Sequence, residues 1–212
     1  YYLDSDIWAL FDAEPYDPPV RFRRIFELKE KPEYAKIYMT AHGIYSLSVN
    51  GKKVPGTLLA PGFTTYEKRL KYQAYDVTEF LQAGENALCV TVADGWYKGK
   101  IALGKGCEYG EVPGLLMQME MWEPDGTKSR LCSDGKFTCS YEGPVRYADL
   151  FRGERVDARR DDGDPSEAAY AADSWKPVNV LERKAEDYSI LTAQTAPGIE
   201  VYAEIPAREI LT

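Results

Sequence analysis

The sequence predicts an all-β protein, an antiparallel β-sandwich of jelly-roll type with little helix. Apolar residues recur with a period of two along most of the chain, as in strands that bury one face and leave the other in water. Gly, Pro, Asn and Asp interrupt these alternating segments at short intervals. A helical period is nearly missing, and many short strands joined by turns are typical of sandwiches.

Five alternating segments supply the predicted core faces. Each presents large apolar side chains on one side and mostly polar side chains on the other. The predicted core residues are Val20, Phe22, Phe26 and Leu28; Ala35, Ile37, Met39 and Ala41; Tyr45, Leu47 and Val49; Leu88, Val90 and Val92; and Leu115, Met117, Met119 and Met121. Arg21 and Arg23 alternate with the first set, so we expect them on a solvated face.

Three dipeptides predict hairpin turns between strands. Asn50-Gly51, Asp125-Gly126 and Asp134-Gly135 each lie between strand-like segments, and such pairs favour the positive φ angles of tight turns. One helical pattern runs over residues 76–82, where Asp76 is the predicted cap and Gly84 the predicted stop.

These signals divide the chain into three parts. Residues 1–19 hold three prolines and are predicted to form an extended arm. Residues 20–185 are predicted to form the sandwich. Residues 186–212 are predicted to be a strand or linker that leads toward a downstream domain. The chain opens on Tyr rather than Met, so we expect it to be part of a longer polypeptide.

Charge and length limit the classes of function. The 212 residues carry a formal net charge of −8. This balance argues against nucleic acid, which needs a basic stripe, and against an anionic membrane surface. No apolar run approaches the roughly 18 residues of a membrane-spanning helix. We therefore expect neither a nucleic-acid nor a membrane partner.

The cysteines and the single histidine offer little for metal or nucleophile chemistry. Cys89, Cys107, Cys132 and Cys139 have no C-x-x-C spacing, and His42 stands alone, so we expect His42 to be structural. Two disulfides are allowed by count, but free thiols are favoured for a domain of this size. Free thiols favour a cytoplasmic protein, and secretion stays open because we expect the true N-terminus to be missing.

The most informative segment for function covers residues 86–99, where a buried strand runs into a glycine-bounded loop that holds Asp94, Trp96 and Tyr97. A sugar ring can lie on an aromatic face while a carboxylate accepts hydrogen bonds from its hydroxyls or binds a bridging metal. The alternative is structural. In it, Trp96 and Tyr97 anchor the core, and Asp94 accepts hydrogen bonds from loop amides.

Two further groups of charged residues have alternative interpretations. Glu154, Asp157 and Arg159 are close enough in sequence to form an ion network, which either faces another domain or, as we favour, braces a returning strand. Residues 161–164 lack the spacing of an EF-hand, so we expect a solvated loop. No pair of acids stands in a motif for glycoside hydrolysis, so no catalytic residue is predicted.

Several motifs, taken in order, make the chain resemble a known family. Their order and spacing over residues 20–205 resemble the N-terminal module of bacterial α-L-rhamnosidases, which are glycoside hydrolases. The motifs are Gly-Ile-Tyr-Ser-Leu-Ser-Val-Asn-Gly at 43–51, Pro-Gly-Phe-Thr at 61–64, Tyr-Glu-Lys-Arg at 66–69, Tyr-Asp-Val-Thr at 75–78, Asp-Gly-Trp-Tyr at 94–97, Tyr-Gly at 109–110, Gly-Pro-Val at 143–145 and Gly-Glu-Arg-Val-Asp-Ala-Arg at 153–159.

The resemblance implies a galactose-binding-domain-like sandwich ahead of a helical catalytic barrel that holds the catalytic acids. We therefore expect a non-catalytic module that packs on that catalytic domain and shapes substrate access in hydrolysis of terminal α-L-rhamnosides. The implied partners are that domain and rhamnose-containing glycans.

The resemblance also implies an alternative, a carbohydrate-binding module for L-rhamnose. Asp94, Trp96 and Tyr97 would hold the sugar, with calcium bound at Asp94. Some modules of this kind have an Asn beside the acid among the metal ligands, whereas this chain has Gly95. The implied calcium site therefore lacks one side-chain ligand.

Overall fold

A computed structural model describes residues 17–102, 104–182 and 184–208, so most of the predicted arm lies outside the described residues. The described part of the chain has thirteen strands. They are β1 Val20–Leu28, β2 Tyr34–His42, β3 Ile44–Val49, β4 Lys52–Lys53, β5 Leu70–Asp76, β6 Gly84–Ala93, β7 Gly114–Trp122, β8 Lys128–Cys132, β9 Thr138–Ser140, β10 Val145–Asp149, β11 Gly153–Val156, β12 Lys176–Pro177 and β13 Leu191–Ala193.

Two sheets form the sandwich. One has six strands in the order β12-β9-β1-β6-β3-β4, and the other has five in the order β13-β5-β2-β7-β8. Strands β10 and β11 form a separate two-stranded ribbon. The strand pairs are antiparallel except β13 with β5. The predicted all-β sandwich is therefore confirmed.

Helical structure in the described residues is limited to three short 3₁₀ segments, Thr78–Phe80, Ala158–Arg160 and Ala185–Ile190. Over those same residues, no helix has the length and apolar character needed to cross a bilayer.

The core lies between the inner faces of the two sheets. The six-stranded sheet contributes Leu47 and Val90, and the five-stranded sheet contributes Ile37 and Met119, all of them inaccessible to solvent. Burying one such side chain stabilises the fold by about 1.5 to 3 kcal/mol. The predicted alternation holds along β3 and β7, where every second side chain is buried. Strand β6 also buries Ala87 and Cys89, on the face turned away from the core.

Two of the three predicted hairpins are confirmed. Asn50-Gly51 joins β3 to β4 as a two-residue turn with φ angles of 49° and 75°. Asp125-Gly126 lies in the turn that joins β7 to β8. Asp134-Gly135 is not a hairpin, because β8 belongs to the five-stranded sheet and β9 to the six-stranded sheet. Its turn carries the chain across the core, where Phe137 is 2% exposed.

The predicted helix over residues 76–82 is a single 3₁₀ turn, Thr78–Phe80. Asp76 ends β5, and its Oδ1 accepts hydrogen bonds from the Thr78 amide at 3.0 Å and hydroxyl at 2.7 Å. Gly84 begins β6 rather than ending a helix. The Val77 amide donates to the Ala35 carbonyl at 3.0 Å, which ties the start of this segment to the first residues of β2.

The prediction that Arg21 and Arg23 lie on a wet face is wrong. Their exposures are 8% and 5%, because residues 162–175 cross over β1. The Arg21 guanidinium donates to both Asp162 carboxylate oxygens, at 2.8 and 2.7 Å, and lies 5.1 Å from the centroid of the Trp175 ring. Residues 161–164 are exposed, as expected, yet Asp162 is held by this ion pair.

Arg23 holds the same covering segment through backbone groups. Its Nε donates to the Pro165 carbonyl at 2.8 Å, and its Nη2 donates to the Glu167 carbonyl at 2.9 Å. The covering segment has no periodic pattern of its own, and the alternation of residues along β1 is the same whether or not another segment covers its outer face. The burial of Arg21 and Arg23 could therefore not be predicted from the sequence of β1.

The last described residues leave the sandwich in an extended form. Strand β13 adds to the five-stranded sheet, with Leu191 opposite Leu70. Ile199 then bridges to Leu58 in the loop between β4 and β5. Large apolar side chains beyond this bridge are exposed, among them Val201, Tyr202 and Ile205.

Candidate functional site at the end of β6

The predicted site residues lie in the loop that follows β6. The loop begins with a tight turn in which the Lys98 amide donates to the Asp94 carbonyl at 3.1 Å. A Cβ on Gly95, where φ is +56°, would lie 2.7 Å from Ile44. A Cβ on Gly99 would lie 2.2 Å from the Gly95 carbonyl oxygen. Glycine is required at both positions because backbone and side chains approach so closely.

Asp94 is a half-buried carboxylate next to a lysine. Its side chain is 16% exposed, and its Oδ1 lies 3.6 Å from the Lys98 ammonium, which also bonds Asp17 Oδ2 at 2.6 Å. Burial raises the pKa of Asp94 to about 6, although Lys98 acts to lower it. The negative charges of Asp149 and Asp17 raise the pKa further. Carboxylates shifted in this way are enriched at functional sites.

Asp149 is a second buried acid at this end, and it is not among the residues predicted from the sequence. It ends β10 and is 8% exposed. Its Oδ2 accepts a hydrogen bond from the Lys100 amide at 2.7 Å, and its Oδ1 accepts from the Phe151 and Arg152 amides at 2.8 Å each. Asp149 therefore fastens the two-stranded ribbon to the loop. An Asp at the start of a turn commonly accepts a hydrogen bond from the amide two residues on, so the residue type was the available signal.

Tyr97 lies inside an aromatic cluster. Its ring stacks on His42, with centroids 4.1 Å apart and planes 9° from parallel. The edge of Tyr66 meets the same ring at 5.3 Å. A Cβ on Gly110 would lie 2.4 Å from the Tyr97 hydroxyl. The Tyr97 ring therefore packs against these neighbours, which agrees with the alternative in which Tyr97 anchors the core.

Trp96 occupies the outer part of the cluster. Its ring lies 6.3 Å from that of Phe63, which is 50% exposed. Phe63 also contacts Tyr109, at 6.4 Å. Phe63 and Tyr109 have no predicted role, although both stand in the motifs that carry the resemblance. Phe63 is therefore the exposed ring of this cluster, and Trp96 lies beside it in the chain segment that follows Asp94.

These residues fit a calcium ion poorly. Calcium takes about 6 to 8 oxygen ligands. No group of three or more His, Cys, Asp or Glu side chains in the described ranges is arranged to hold a metal. The Lys98 ammonium already supplies a positive charge close to Asp94.

The second predicted group is only partly brought together. Asp157 receives two hydrogen bonds from the Arg159 guanidinium, at 2.8 and 2.9 Å, and this pair is local and exposed. The side-chain hydrogen bond from Arg159 lowers the pKa of Asp157. Glu154 is exposed on β11, where it lies opposite Ala148. Over the described residues, it forms no hydrogen bond or ion pair with Asp157 or Arg159.

The four cysteines are free thiols. Cys89 on β6 is buried and lies opposite Arg23 of β1. Burial raises the pKa of its thiol to about 12. A thiol held so far from ionisation at neutral pH is a poor nucleophile.

The two packed sheets define the chain as a β-sandwich module, and comparisons with known proteins identify its family. Residues 30–203 match the family model described as the α-L-rhamnosidase N-terminal domain. The chain therefore belongs to this family.

Curated relatives agree with this assignment. The chain is 36% identical over 191 residues to an α-L-rhamnosidase of Streptomyces avermitilis, a match that covers 90% of this chain and 18% of the relative. It is 32% identical over 164 residues to an α-L-rhamnosidase of Formosa agariphila, covering 77% of this chain and 18% of that protein. The chain thus spans about a fifth of the length of the relatives it matches.

Solved structures show the same module. The structure of the Streptomyces avermitilis enzyme complexed with L-rhamnose matches with a TM-score of 0.83 and 35% identity, over 92% of this chain and 19% of that one. An α-L-rhamnosidase from Aspergillus terreus matches with a TM-score of 0.79 and 31% identity, over 86% of this chain and 21% of the other.

Proposed function

We propose that this chain is the non-catalytic N-terminal module of an α-L-rhamnosidase. It packs on the catalytic part of the same polypeptide and shapes access to the site where terminal α-L-rhamnosides are hydrolysed. Its relatives, which are several times longer and are named α-L-rhamnosidases, support the parent activity.

The observation that carries this proposal is a row of exposed apolar side chains, which we call the apolar tail surface. It consists of Leu58, Ile199, Val201, Tyr202 and Ile205, with exposures of 40%, 50%, 67%, 102% and 90%. The Leu58–Ile199 bridge holds the start of this surface against the loop between β4 and β5. A run of large exposed apolar groups favours a packing partner, because water-exposed patches of this kind mark interfaces.

Hydrogen exchange in the full polypeptide tests this packing. We expect the amides of residues 199–205 to be protected there and to exchange freely in the isolated 212-residue chain. A Val201→Ser, Tyr202→Ser, Ile205→Ser variant should remove the protection and lower rhamnosidase kcat/KM. Val156→Ser, at an exposed apolar position on the ribbon, is the matched control. Free exchange at 199–205 in the full polypeptide would contradict the proposal.

A second function, L-rhamnose binding at the end of β6, is favoured by the raised pKa of the half-buried Asp94 carboxylate beside Trp96 and Phe63. The carboxylate would accept hydrogen bonds from the sugar hydroxyls, and the exposed part of the aromatic surface would contact the apolar face of the ring. The relative solved with L-rhamnose supports this sugar class.

Calorimetric titration with L-rhamnose, with calcium and then with a chelator, tests the second function. Binding that saturates and disappears in Asp94→Asn would support it. The control variant Asp157→Asn removes an exposed acid elsewhere and should bind as the unmodified chain does. Binding lost on chelation would add a metal to the site, and no heat at millimolar sugar would reject sugar binding here.

A further inference from the structure

The outer face of the five-stranded sheet carries a groove of about 530 Å³, on the side turned away from the core. We call it the tyrosine groove. Its lining includes Tyr38 on β2, Tyr72 on β5, Gln118 and Glu120 on β7, and Tyr188 from the 3₁₀ segment that precedes β13. The groove is separate from the loop after β6, because none of its lining residues belongs to that loop.

Strand register arranges the groove residues in rows. Tyr38 pairs with Gln118 and with Ala74, so these three form one row across β7, β2 and β5. Lys36 and Glu120 form the next row. Neighbouring strands lie about 4.8 Å apart, so each row is a close-set line of side chains on a rigid support.

Hydrogen bonding and an ion pair hold the Gln118 amide and the Glu120 carboxylate of the groove in place. Gln118 Nε2 donates to Glu120 Oε1 at 2.8 Å, and the Arg130 guanidinium lies 3.6 Å from the same oxygen. Over the described ranges, the hydroxyls of Tyr38, Tyr72 and Tyr188 make no hydrogen bond to another residue. A fixed amide and carboxylate beside phenol hydroxyls can bond neighbouring hydroxyls of a sugar.

The charges nearest the groove form pairs of opposite sign. Lys36 lies opposite Asp76, and Glu120 lies opposite Arg130, whereas Lys128, farther along β8, lies opposite Trp122. A face that is locally neutral favours an uncharged ligand over an acidic or basic one.

The aromatic surface extends past the groove. Tyr38 and Tyr72 contact each other with centroids 6.3 Å apart. Tyr34, four residues before Tyr38 on β2, pairs with Trp122 at 5.2 Å. At about 3.3 Å per residue, Tyr34 and Tyr38 are separated by about 13 Å along the strand. The Lys36 ammonium lies 5.6 Å from the Tyr34 ring centroid, and the Lys128 ammonium lies 5.2 Å from that of Trp122. A ligand that extended from Tyr38 to Tyr34 would be longer than one sugar ring and would also meet these lysines.

From these features we propose that the outer face of the five-stranded sheet binds a neutral oligosaccharide of several sugar units. The rings of Tyr38 and Tyr72 contact the sugar faces, and Gln118 and Glu120 bond the hydroxyls. The site is independent of any L-rhamnose site at Asp94 and does not rest on the packing of the apolar tail surface.

Titration of the 212-residue chain with neutral tetrasaccharides, rhamnose-containing and rhamnose-free, tests the proposal by calorimetry and by backbone amide shifts. We expect at least one tetrasaccharide to bind and to shift amides of β2, β5 and β7. The double variant Tyr38→Ala, Tyr72→Ala should weaken this binding at least ten-fold. Asp94→Asn should leave it unchanged, which separates this site from the one after β6.

Two controls keep the result interpretable. Tyr141→Ala removes an exposed tyrosine elsewhere and should bind normally. If the double alanine variant unfolds, Tyr38→Phe, Tyr72→Phe keeps the rings and removes only the hydroxyls, and it should weaken binding by a smaller factor.

Three outcomes would overturn the proposal. They are the absence of binding by any tetrasaccharide at millimolar concentration, binding that the tyrosine variants leave intact, and protection of Tyr38 and Tyr72 from hydroxyl-radical labelling in the full polypeptide. The last would assign this face to contact with the catalytic part.

Discussion

The ring of Tyr97 lies flat on the imidazole of His42, with centroids 4.1 Å apart and planes at 9°. His42 ends β2 in the five-stranded sheet, whereas Tyr97 follows β6 of the six-stranded sheet. The contact therefore joins the two sheets at the end of the sandwich where Asp94 lies. It assigns Tyr97 to packing, whereas the ring of Phe63, 6.3 Å from that of Trp96, is 50% exposed.

Tyr97→Ala is expected to lower the free energy of unfolding by about 3 kcal/mol, the usual cost of truncating a packed aromatic side chain. The loss arises because His42, Tyr66 and Gly110 would all border a cavity. Urea denaturation measures it. Phe63→Ala, at a ring that is 50% exposed, should cost about 1 kcal/mol or less, since most of its apolar area is already in water. Equal losses for both variants would contradict the assignment.

Asp94 is expected to make stability fall as the pH rises from about 4 to about 6. Burial raises its folded pKa to about 6, whereas an unfolded Asp has a pKa near 3.9. The folded state therefore binds more protons in this window, and proton release on raising the pH favours unfolding.

Asp94→Asn should remove this decline and raise the unfolding free energy at pH 7 by about 1 to 3 kcal/mol, at 1.36 kcal/mol per pKa unit. Denaturation across pH 4 to 7 compares the two proteins. Asp157→Asn is the control, because Arg159 lowers the pKa of Asp157 and its titration falls below this window. An unchanged slope in Asp94→Asn would show that the carboxylate is solvated.

Arg23→Lys is expected to loosen residues 162–175 and to cost about 2 to 3 kcal/mol, because buried carbonyls lose a charged donor. The guanidinium bonds the carbonyls of Pro165 and Glu167 at once, and an ammonium cannot reproduce that fork. Limited proteolysis within 162–175 and urea denaturation report the two effects. Arg155→Lys, on an exposed strand, should be neutral. Stability equal to that of the parent chain would contradict this role for Arg23.

Asn86→Ala is expected to cost about 2 to 4 kcal/mol, since each buried polar group left unpaired costs about 1 to 3 kcal/mol. Asn86 is fully buried. Its Nδ2 donates to the Gln82 and Gly84 carbonyls, and its Oδ1 accepts from Asn50 and from the Gln82 amide. Thermal unfolding measures the loss. Gln82→Ala, which removes one exposed bond to Glu85, should lower Tm much less.

The candidate site shows how far residue patterns extend. Asp94 was found because it follows a strongly apolar strand and precedes a glycine, both of which are local features. Asp149 and Phe63 belong to the same end of the molecule, but they come from other segments of the chain. Nothing in the sequence near Asp94 indicates which distant loop will close over it.

The predicted hairpins show the same limit. Asn50-Gly51 and Asp134-Gly135 are equally good turn dipeptides, yet the first closes a hairpin and the second lies where the chain passes from one sheet to the other. A turn dipeptide determines the local φ angles, whereas the partner of the next strand depends on where the buried side chains, Phe137 among them, find room in the core.

By itself the sequence determined the all-β class, the inward faces of the strands and the family, because strand alternation and motif order are encoded in neighbouring residues. Only the tertiary structure decided that Arg21 and Arg23 are buried, that Tyr97 stacks on His42 and that tyrosines from separate strands line one groove. These relationships depend on which segment covers which face. That choice is made by packing and hydrogen bonding between residues far apart in the chain, which no local pattern records.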